Sequence, residues 1–276
     1  MLAAQPARRH NALMADRSGR FEGLHVAVSG AGTGIGRAIA LRLAAEGARL
    51  SLLARDLGRL EKTAAAARER GAGEARAIAC DVRDGAAVER AFDTACAGGG
   101  PLYALVANSG IGGSNAAGAG DRFHDLVATN LVGTYHCLRA AERRLMPGPR
   151  TRHLVATASI LARIGVGGYS GYCASKAGVC GLVRALAVEL APRNVQVNAV
   201  LPGWVETDMA SAGLEDMARA LRVDREEARR IALSSVPLGR MGQPEDVAGL
   251  VAWLLSEDAR GVTGASLDIN NGALMS

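Results

Sequence analysis

The chain has 276 residues, 49% of them hydrophobic and 3% aromatic, with 35 glycines, which suits one large α/β domain whose core needs neither disulfides nor metal. Its five cysteines (Cys80, Cys96, Cys137, Cys173, Cys180) are odd in number, form no C-x-x-C pair and join no histidine at ligand spacing, so no metal site is expected and reduced core thiols point to a cytoplasmic protein. The formal charge of +5 is mostly local, because residues 1–20 hold Arg8, Arg9, Arg17 and Arg20 against Asp16 and leave 28 basic and 26 acidic residues in the body; with no basic stripe and no run of 18 apolar residues, nucleic acid and membrane are set aside as partners.

Residues 1–20 lack apolar periodicity and the apolar stretch of about 7–15 residues that a secretory signal needs. They are expected to be a disordered tail, and Met14 would open a more compact protein. From residue 21 to 276 a single domain is expected. The apolar runs His25–Ser29, Arg49–Ala54, Ala77–Asp81, Leu102–Asn108, His153–Ser159 and Val195–Leu201 read as buried parallel strands. Helical patterns near 35–46, 57–70, 85–97, 122–145 and 172–192 lie between them. Repeated βα units predict a doubly wound parallel sheet with helices on both faces, and ligands beyond the carboxyl ends of its strands.

The first strand runs into Ser29-Gly30-Ala31-Gly32-Thr33-Gly34-Ile35-Gly36. The pattern G-x-G-x-x-G fails because Ile35 takes the place of its last glycine, but G-x-x-x-G-x-G is met by Gly30, Gly34 and Gly36. Glycines there permit a tight turn and close backbone approach, and the following helix offers unpaired N–H groups to a pyrophosphate. A structural strand-to-helix turn is the plainer alternative. At the end of the second strand, Ala54 stands where an NAD enzyme would carry an acid to meet the ribose hydroxyls, and Arg55 follows it. Arg55 can fork onto a 2′-phosphate, which favours NADP(H) over NAD(H); the alternative is an ordinary surface arginine. Asp56 reads as a helix N-cap. Asp81 is placed either to meet an adenine or to cap the next helix.

Asn108-Ser109-Gly110 ends the fourth strand, where polar side chains can tie strands or line the cofactor groove. Asn130 falls inside a helical pattern that disfavours Asn, so it marks a kink or a polar task. Ser159 ends the fifth strand, as a turn residue or as a donor to a substrate oxygen. Tyr172 and Lys176 sit one helical turn apart on one face. An ammonium there would lower the phenol pKa and fit it for acid/base work near neutral pH. Only two of the 32 basic residues, Lys62 and Lys176, are lysines, and a compact ammonium can donate to two ribose hydroxyls where a guanidinium cannot fit. Tyr169 has Cys173 four residues on and is given a wall role instead. Residues 203–243 break the alternation and are read as a mobile substrate lid, with a rigid surface excursion as the alternative. A last helix, Pro244–Leu255, precedes a strand near Ser266–Ile269.

On the glycine turn, Asp81-Val82, Asn108-Ser109-Gly110, Asn130, Ser159, Tyr172/Lys176, Asn198, Pro202-Gly203 and Thr207, in this order, the chain resembles the short-chain dehydrogenase/reductase family from Phe21 to Gly272. The resemblance implies a Rossmann-like fold and a hydride transfer between nicotinamide and a carbonyl or alcohol. It makes Tyr172 the acid in reduction, Lys176 the holder of the nicotinamide ribose, Ser159 the group that polarises the carbonyl and Asn130 the holder of a relay water. Val82, Pro202, Gly203, Val205 and Thr207 join the cofactor contacts, Thr207 at the carboxamide. It also implies a homotetramer packed through the helices near 122–145 and 172–192. Ser29 and Ser109 depart from the usual Thr and Ala, Thr33 replaces a basic residue common in NADP-dependent members, and the stretch after Asn108 is short and glycine-rich. The segment after Ser159 is similar to β-ketoacyl thioester reductases and aromatic polyketide ketoreductases. With Ile160, Leu161, Val166, Tyr169, Trp204 and Met209 as pocket positions, a hydrophobic ketone or β-keto (thio)ester, free or carrier-bound, is the expected substrate. The alternatives are an NAD-dependent catabolic alcohol dehydrogenase and a non-catalytic nucleotide-binding protein on the same fold.

Overall fold

The computed structural model describes residues 19–275, so the expected tail lies almost wholly outside the described residues. Arg20, placed in that tail from the sequence, belongs to the folded body: its guanidinium forks onto the buried Glu46 carboxylate, which also takes Arg42.

Seven strands form one parallel sheet in the order β3-β2-β1-β4-β5-β6-β7. They are β1 (His25–Ser29), β2 (Arg49–Ala54), β3 (Ala75–Ala79), β4 (Ala104–Ala107), β5 (Arg152–Thr157), β6 (Val195–Pro202) and β7 (Ser266–Ile269). The order reverses between β1 and β4, and the crevice above that switch point is where an open α/β sheet takes its ligand. Successive residues feed opposite layers. Val26, Val28, Leu50 and Leu52 pack into one apolar layer, while Ala27, Leu53 and Leu105 pack into the other. Burial on both faces is what turned these strands into unbroken apolar runs.

Helices α1 (Gly34–Ala44), α2 (Leu57–Glu69), α3 (Gly85–Gly99), α4 (Phe123–Val127), α5 (Gly133–Glu142), α6 (Ser170–Leu190), α7 (Asp208–Leu221), α8 (Arg225–Leu233) and α9 (Pro244–Leu254) complete the described chain. Asp56 caps α2 as expected, accepting from the Arg59 N–H at 3.0 Å. The helix predicted across 122–145 is in fact α4 and α5 joined by one wide π turn, Ala128–Val132. Residues 203–243 hold α7 and α8, with α8 opened by Asp224 as its N-cap. They enclose a small core of Ala210, Leu214 and Met241, and are tied by an ion pair between Glu206 and Arg229 and by Arg225 donating to Ser211 Oγ at 2.6 Å.

Candidate active site

The glycine turn leaves β1 with its backbone stripped of side chains where neighbours press on it. Gly30 has φ +68°, and a Cβ there would stand 2.9 Å from Ser109 Cα; one at Gly36 would overlap the Gly30 carbonyl oxygen. Gly34 has φ +51° and faces Thr207, whose Cγ2 lies 3.1 Å from where its Cβ would be. Thr33 is the N-cap residue of α1, yet its side chain bonds none of the helix N–H groups, so these orphan donors are available to a phosphate. Ser29 Oγ accepts from the N–H groups of Asn108 and Ser109, both at 3.1 Å, which fixes the β4 loop against the turn. Gly32 is covered by Arg59, whose Cβ would be 3.3 Å from a Cβ at that glycine. Arg59 was not singled out from the sequence, where it looks like any surface arginine of a helix.

Arg55 is exposed at the end of β2, close enough to Asp81 to help hold that carboxyl below its usual range. The larger cause is Arg83, which forks onto Asp81 at 2.6–3.1 Å. Asp81 is not the helix cap: Asp84 takes that role on α3, accepting from the N–H groups of Ala86 and Ala87. Val82 is buried against Gly133 at the start of α5.

A relay of hydrogen bonds crosses the sheet ends. Lys176 Nζ, buried on α6, donates to the Thr157 carbonyl oxygen at 2.9 Å. Thr157 Oγ1 donates to Asn108 Oδ1 at 3.1 Å, and Asn108 Nδ2 reaches the Gly30 carbonyl at 3.4 Å. Gly110 is needed beside it, since a Cβ there would crowd Nζ to 3.4 Å and Asn130 Oδ1 to 3.2 Å. Nζ lies 5.7 Å from the centre of the Tyr172 ring. Burial pushes Lys176 down to about 8, while its Thr157 bond uses one of three N–H groups and leaves two for ribose hydroxyls.

Burial also raises the Tyr172 phenol above its ordinary value, with the Ser159 hydroxyl pulling in the other direction. The direction is the reverse of the expected lowering, and loss of water is its largest cause. Ser159 lies two residues beyond β5 as the cap of a short turn over Ile160–Ala162, its Oγ accepting from the Leu161 N–H at 3.2 Å. That bond occupies a lone pair and leaves the O–H to donate toward a substrate oxygen beside Tyr172.

Asn130 occupies the π turn and is fully buried. Its side chain accepts from the Ile111 N–H at 2.8 Å and donates to the Ile111 carbonyl at 3.0 Å and to Ser175 Oγ at 3.1 Å. A break in the regular helical pattern and polar bonds are both present, and the side chain fastens the β4 loop to α6. Asn198, buried in β6, ties that strand to the chain before β7. Pro202 pairs with Ile269, and Gly203 leaves room for Asn270. Val205 is buried and bridges Gly242; Thr207 caps α7 through the Ala210 N–H.

The pocket positions divide. Leu161 and Tyr169 are half-buried, and Val166 and Met209 are exposed. Tyr169 faces Asp216 of α7, whose charge, after burial, raises its phenol. Ile160 is buried, and Trp204 is half-buried, packing on Gly213 beside the small core of α7 and α8. Gly112 was missed: a Cβ there would stand 2.9 Å from Met209 Cγ and Sδ, so the β4 loop and α7 meet across the pocket. Among the described residues no group of three His, Cys, Asp or Glu is placed to hold a metal, and no helix is long and apolar enough to cross a membrane.

Residues 30–273 match the family described as enoyl-(acyl carrier protein) reductase. The chain is 34% identical over 259 residues to the 3-oxoacyl-[acyl-carrier-protein] reductase FabG of Escherichia coli, covering 92% of this chain and 99% of that protein. The chain belongs to the short-chain dehydrogenase/reductases. Among solved members, a short-chain type dehydrogenase/reductase from Mycobacterium marinum superposes with a TM-score of 0.84 at 30% identity, over 93% of this chain and 97% of that one. A singly substituted form of the actinorhodin polyketide ketoreductase, with NADPH, gives 0.83 at 36% identity, over 91% and 97%. This short-chain dehydrogenase/reductase is thus a Rossmann-like oxidoreductase acting on C=O and CH–OH groups.

Proposed function

We propose that the protein reduces a hydrophobic ketone, in the form of a β-keto (thio)ester, to the secondary alcohol, with NADPH as the cofactor. The observation that carries this reading is the Ser159 hydroxyl beside the Tyr172 phenol, with the buried Lys176 Nζ 5.7 Å from the centre of that ring. The relatives named for 3-oxoacyl-carrier and polyketide reduction support the substrate class.

The bare glycine turn and the uncapped start of α1 would hold the pyrophosphate, Arg55 the 2′-phosphate, Asp81 and Val82 the adenine, and Lys176 the nicotinamide ribose. Asn108, Gly110, Pro202, Gly203, Val205 and Thr207 would complete the groove, with Thr207 beside the glycine turn. The nicotinamide, when bound, supplies the hydride that goes to the carbonyl carbon. Ser159 donates a hydrogen bond to the carbonyl oxygen and so favours the charge that gathers there. Tyr172 gives its phenolic proton to that oxygen, which breaks the O–H bond and leaves a phenolate beside Lys176. A phenol held protonated by burial is suited to this acid role, and an alkoxide is the stronger base, so the transfer runs downhill.

Leu161, Val166, Tyr169 and Met209 would wall the substrate, with α7 and α8 as the lid that moves to admit it. A homotetramer in the cytoplasm fits this reading: Val132, Tyr135 and Val188 stand exposed on the helices expected to pair between copies. One observation favours an NAD-linked alcohol dehydrogenase instead, the uncharged Thr33 in the turn. The deciding experiment follows nicotinamide absorbance with an acetoacetyl thioester, NADPH against NADH. Loss with NADPH supports the ketoreductase; turnover only with an alcohol and NAD replaces it with the dehydrogenase.

A further inference from the structure

We infer that Asn115 is a positioning residue for the reaction: it reaches from the short β4 loop to cap the helix that carries Tyr172, and so sets the height of the phenol beside Ser159. The inference rests on the ketone-reduction reading.

Helix α6 opens without a cap of its own. Its N-cap residue, Tyr169, makes no side-chain bond to the helix N–H groups, and Tyr172 lies in the first turn, where fraying is least opposed. Asn115 Oδ1 accepts from the Gly171 N–H at 2.8 Å. Its own N–H donates to the Gly168 carbonyl at 2.7 Å, which fixes the approach to the helix. Its Nδ2 donates to Ser170 Oγ and to Asp121 Oδ1, each at 3.1 Å. Asp121 in turn accepts from the Phe123 N–H at 2.9 Å at the start of α4. One amide therefore joins the beginning of α6, which carries Tyr172, to the beginning of α4, which leads into the π turn of Asn130. Space is matched to this: a Cβ at Gly171 would stand 3.1 Å from Phe123 Cα and 3.2 Å from Asn115 Oδ1. The far end of the same loop is held at Ile111 by Asn130, and Gly112 accepts from Arg122 at 3.2 Å. The β4 loop and the start of the helix that carries Tyr172 are thus tied together by hydrogen bonds.

A displacement of about 1 Å at a reacting group costs far more rate than binding. The acceptor can be tested by itself, because Asn115→Asp made together with Asp121→Asn keeps the acceptor for Gly171 and a donor–acceptor contact to residue 121 without opposing two carboxylates, whereas Asn115→Ala loses both. The test compares kcat, KM and the pH profile of kcat for the two variants with NADPH and an acetoacetyl thioester. It also measures hydrogen exchange across residues 168–176 and thermal melts. The expected result is a kcat lower by about five- to ten-fold in Asn115→Ala, the equivalent of a lost helix cap, with a displaced pH profile and rapid exchange at the start of α6. The Asn115→Asp/Asp121→Asn pair should keep kcat, pH profile and exchange protection near wild type. Unchanged kcat and exchange in Asn115→Ala, or an equal loss in both variants, overturns the inference. If the wild-type protein reduces no ketone, the functional reading has failed, and exchange alone decides: protection kept by the pair and lost by Ala sustains the cap, and equal protection removes it.

Discussion

Lys176 Nζ and the Thr157 carbonyl oxygen are joined by a 2.9 Å hydrogen bond, so the buried ammonium is rooted in the end of β5 rather than in a carboxylate. With burial pushing it down to about 8, the free enzyme should lose that charge as pH rises through this value. The kcat/KM for the cofactor is expected to fall on the alkaline side of about pH 8. In Lys176→Arg this limb should vanish, because a guanidinium keeps its proton, and activity should drop about 100-fold, because the planar group does not fit between Thr157 and Gly110. Steady-state kinetics across pH reads both effects.

Removing the phenolic proton should separate chemistry from binding. Tyr172→Phe is expected to lower kcat by about 10³-fold and to leave cofactor affinity near wild type in a fluorescence titration, since the glycine turn and Lys176 are untouched. Turnover comparable to wild type would end the acid assignment.

Arg55 tests the cofactor. A charge-assisted bond to the 2′-phosphate implies that Arg55→Ala raises the KM for NADPH by roughly 10- to 100-fold and changes the NADH value little. Equal effects on both cofactors would reduce Arg55 to a surface residue.

Gly36→Ala asks whether the turn tolerates a methyl group. The added carbon would strike the backbone oxygen of Gly30 and crowd Asn108, so roughly 1–3 kcal/mol of stability or more should be lost. Cofactor binding should fall with it, read by thermal melts with and without NADPH.

Acid sensitivity should arise far from the active site. His153, buried in β5, is pushed down to about 4 from 6.5 by loss of water. Its lowered folded-state value means that the unfolded chain binds the extra proton first. Stability from this group is therefore complete above about pH 6.5 and declines as pH falls toward 4, by roughly 3 kcal/mol in all. His25, also lowered by burial, acts in the same direction. His153→Gln should flatten the slope of melting temperature against pH across this window.

Much of this was legible in the chain. Strands buried on both faces announce themselves as apolar runs, and Tyr172 and Lys176 share a helical face whatever surrounds them. The errors have physical causes. A π turn keeps the apolar pattern of a helix, so 122–145 looked continuous. The phenol pKa depends on how much water burial removes, which spacing does not record. Arg59 and Asn115 act on partners made neighbours only by the fold, Asn115 across 56 residues, and leave no periodic trace.

The wide turn at Ala128–Val132 carries one more residue than a regular helical turn would hold in the same span. Chain length there is consequently a functional quantity. Deleting a single residue would rotate everything beyond it by about 100°, so either Asn130 would lose Ile111 or Gly133 would swing away from Val82. A one-residue gap in this helix should therefore do more harm than an insertion several times longer among the exposed residues 116–120, and sequence drift should leave its length alone even where it changes every side chain around it.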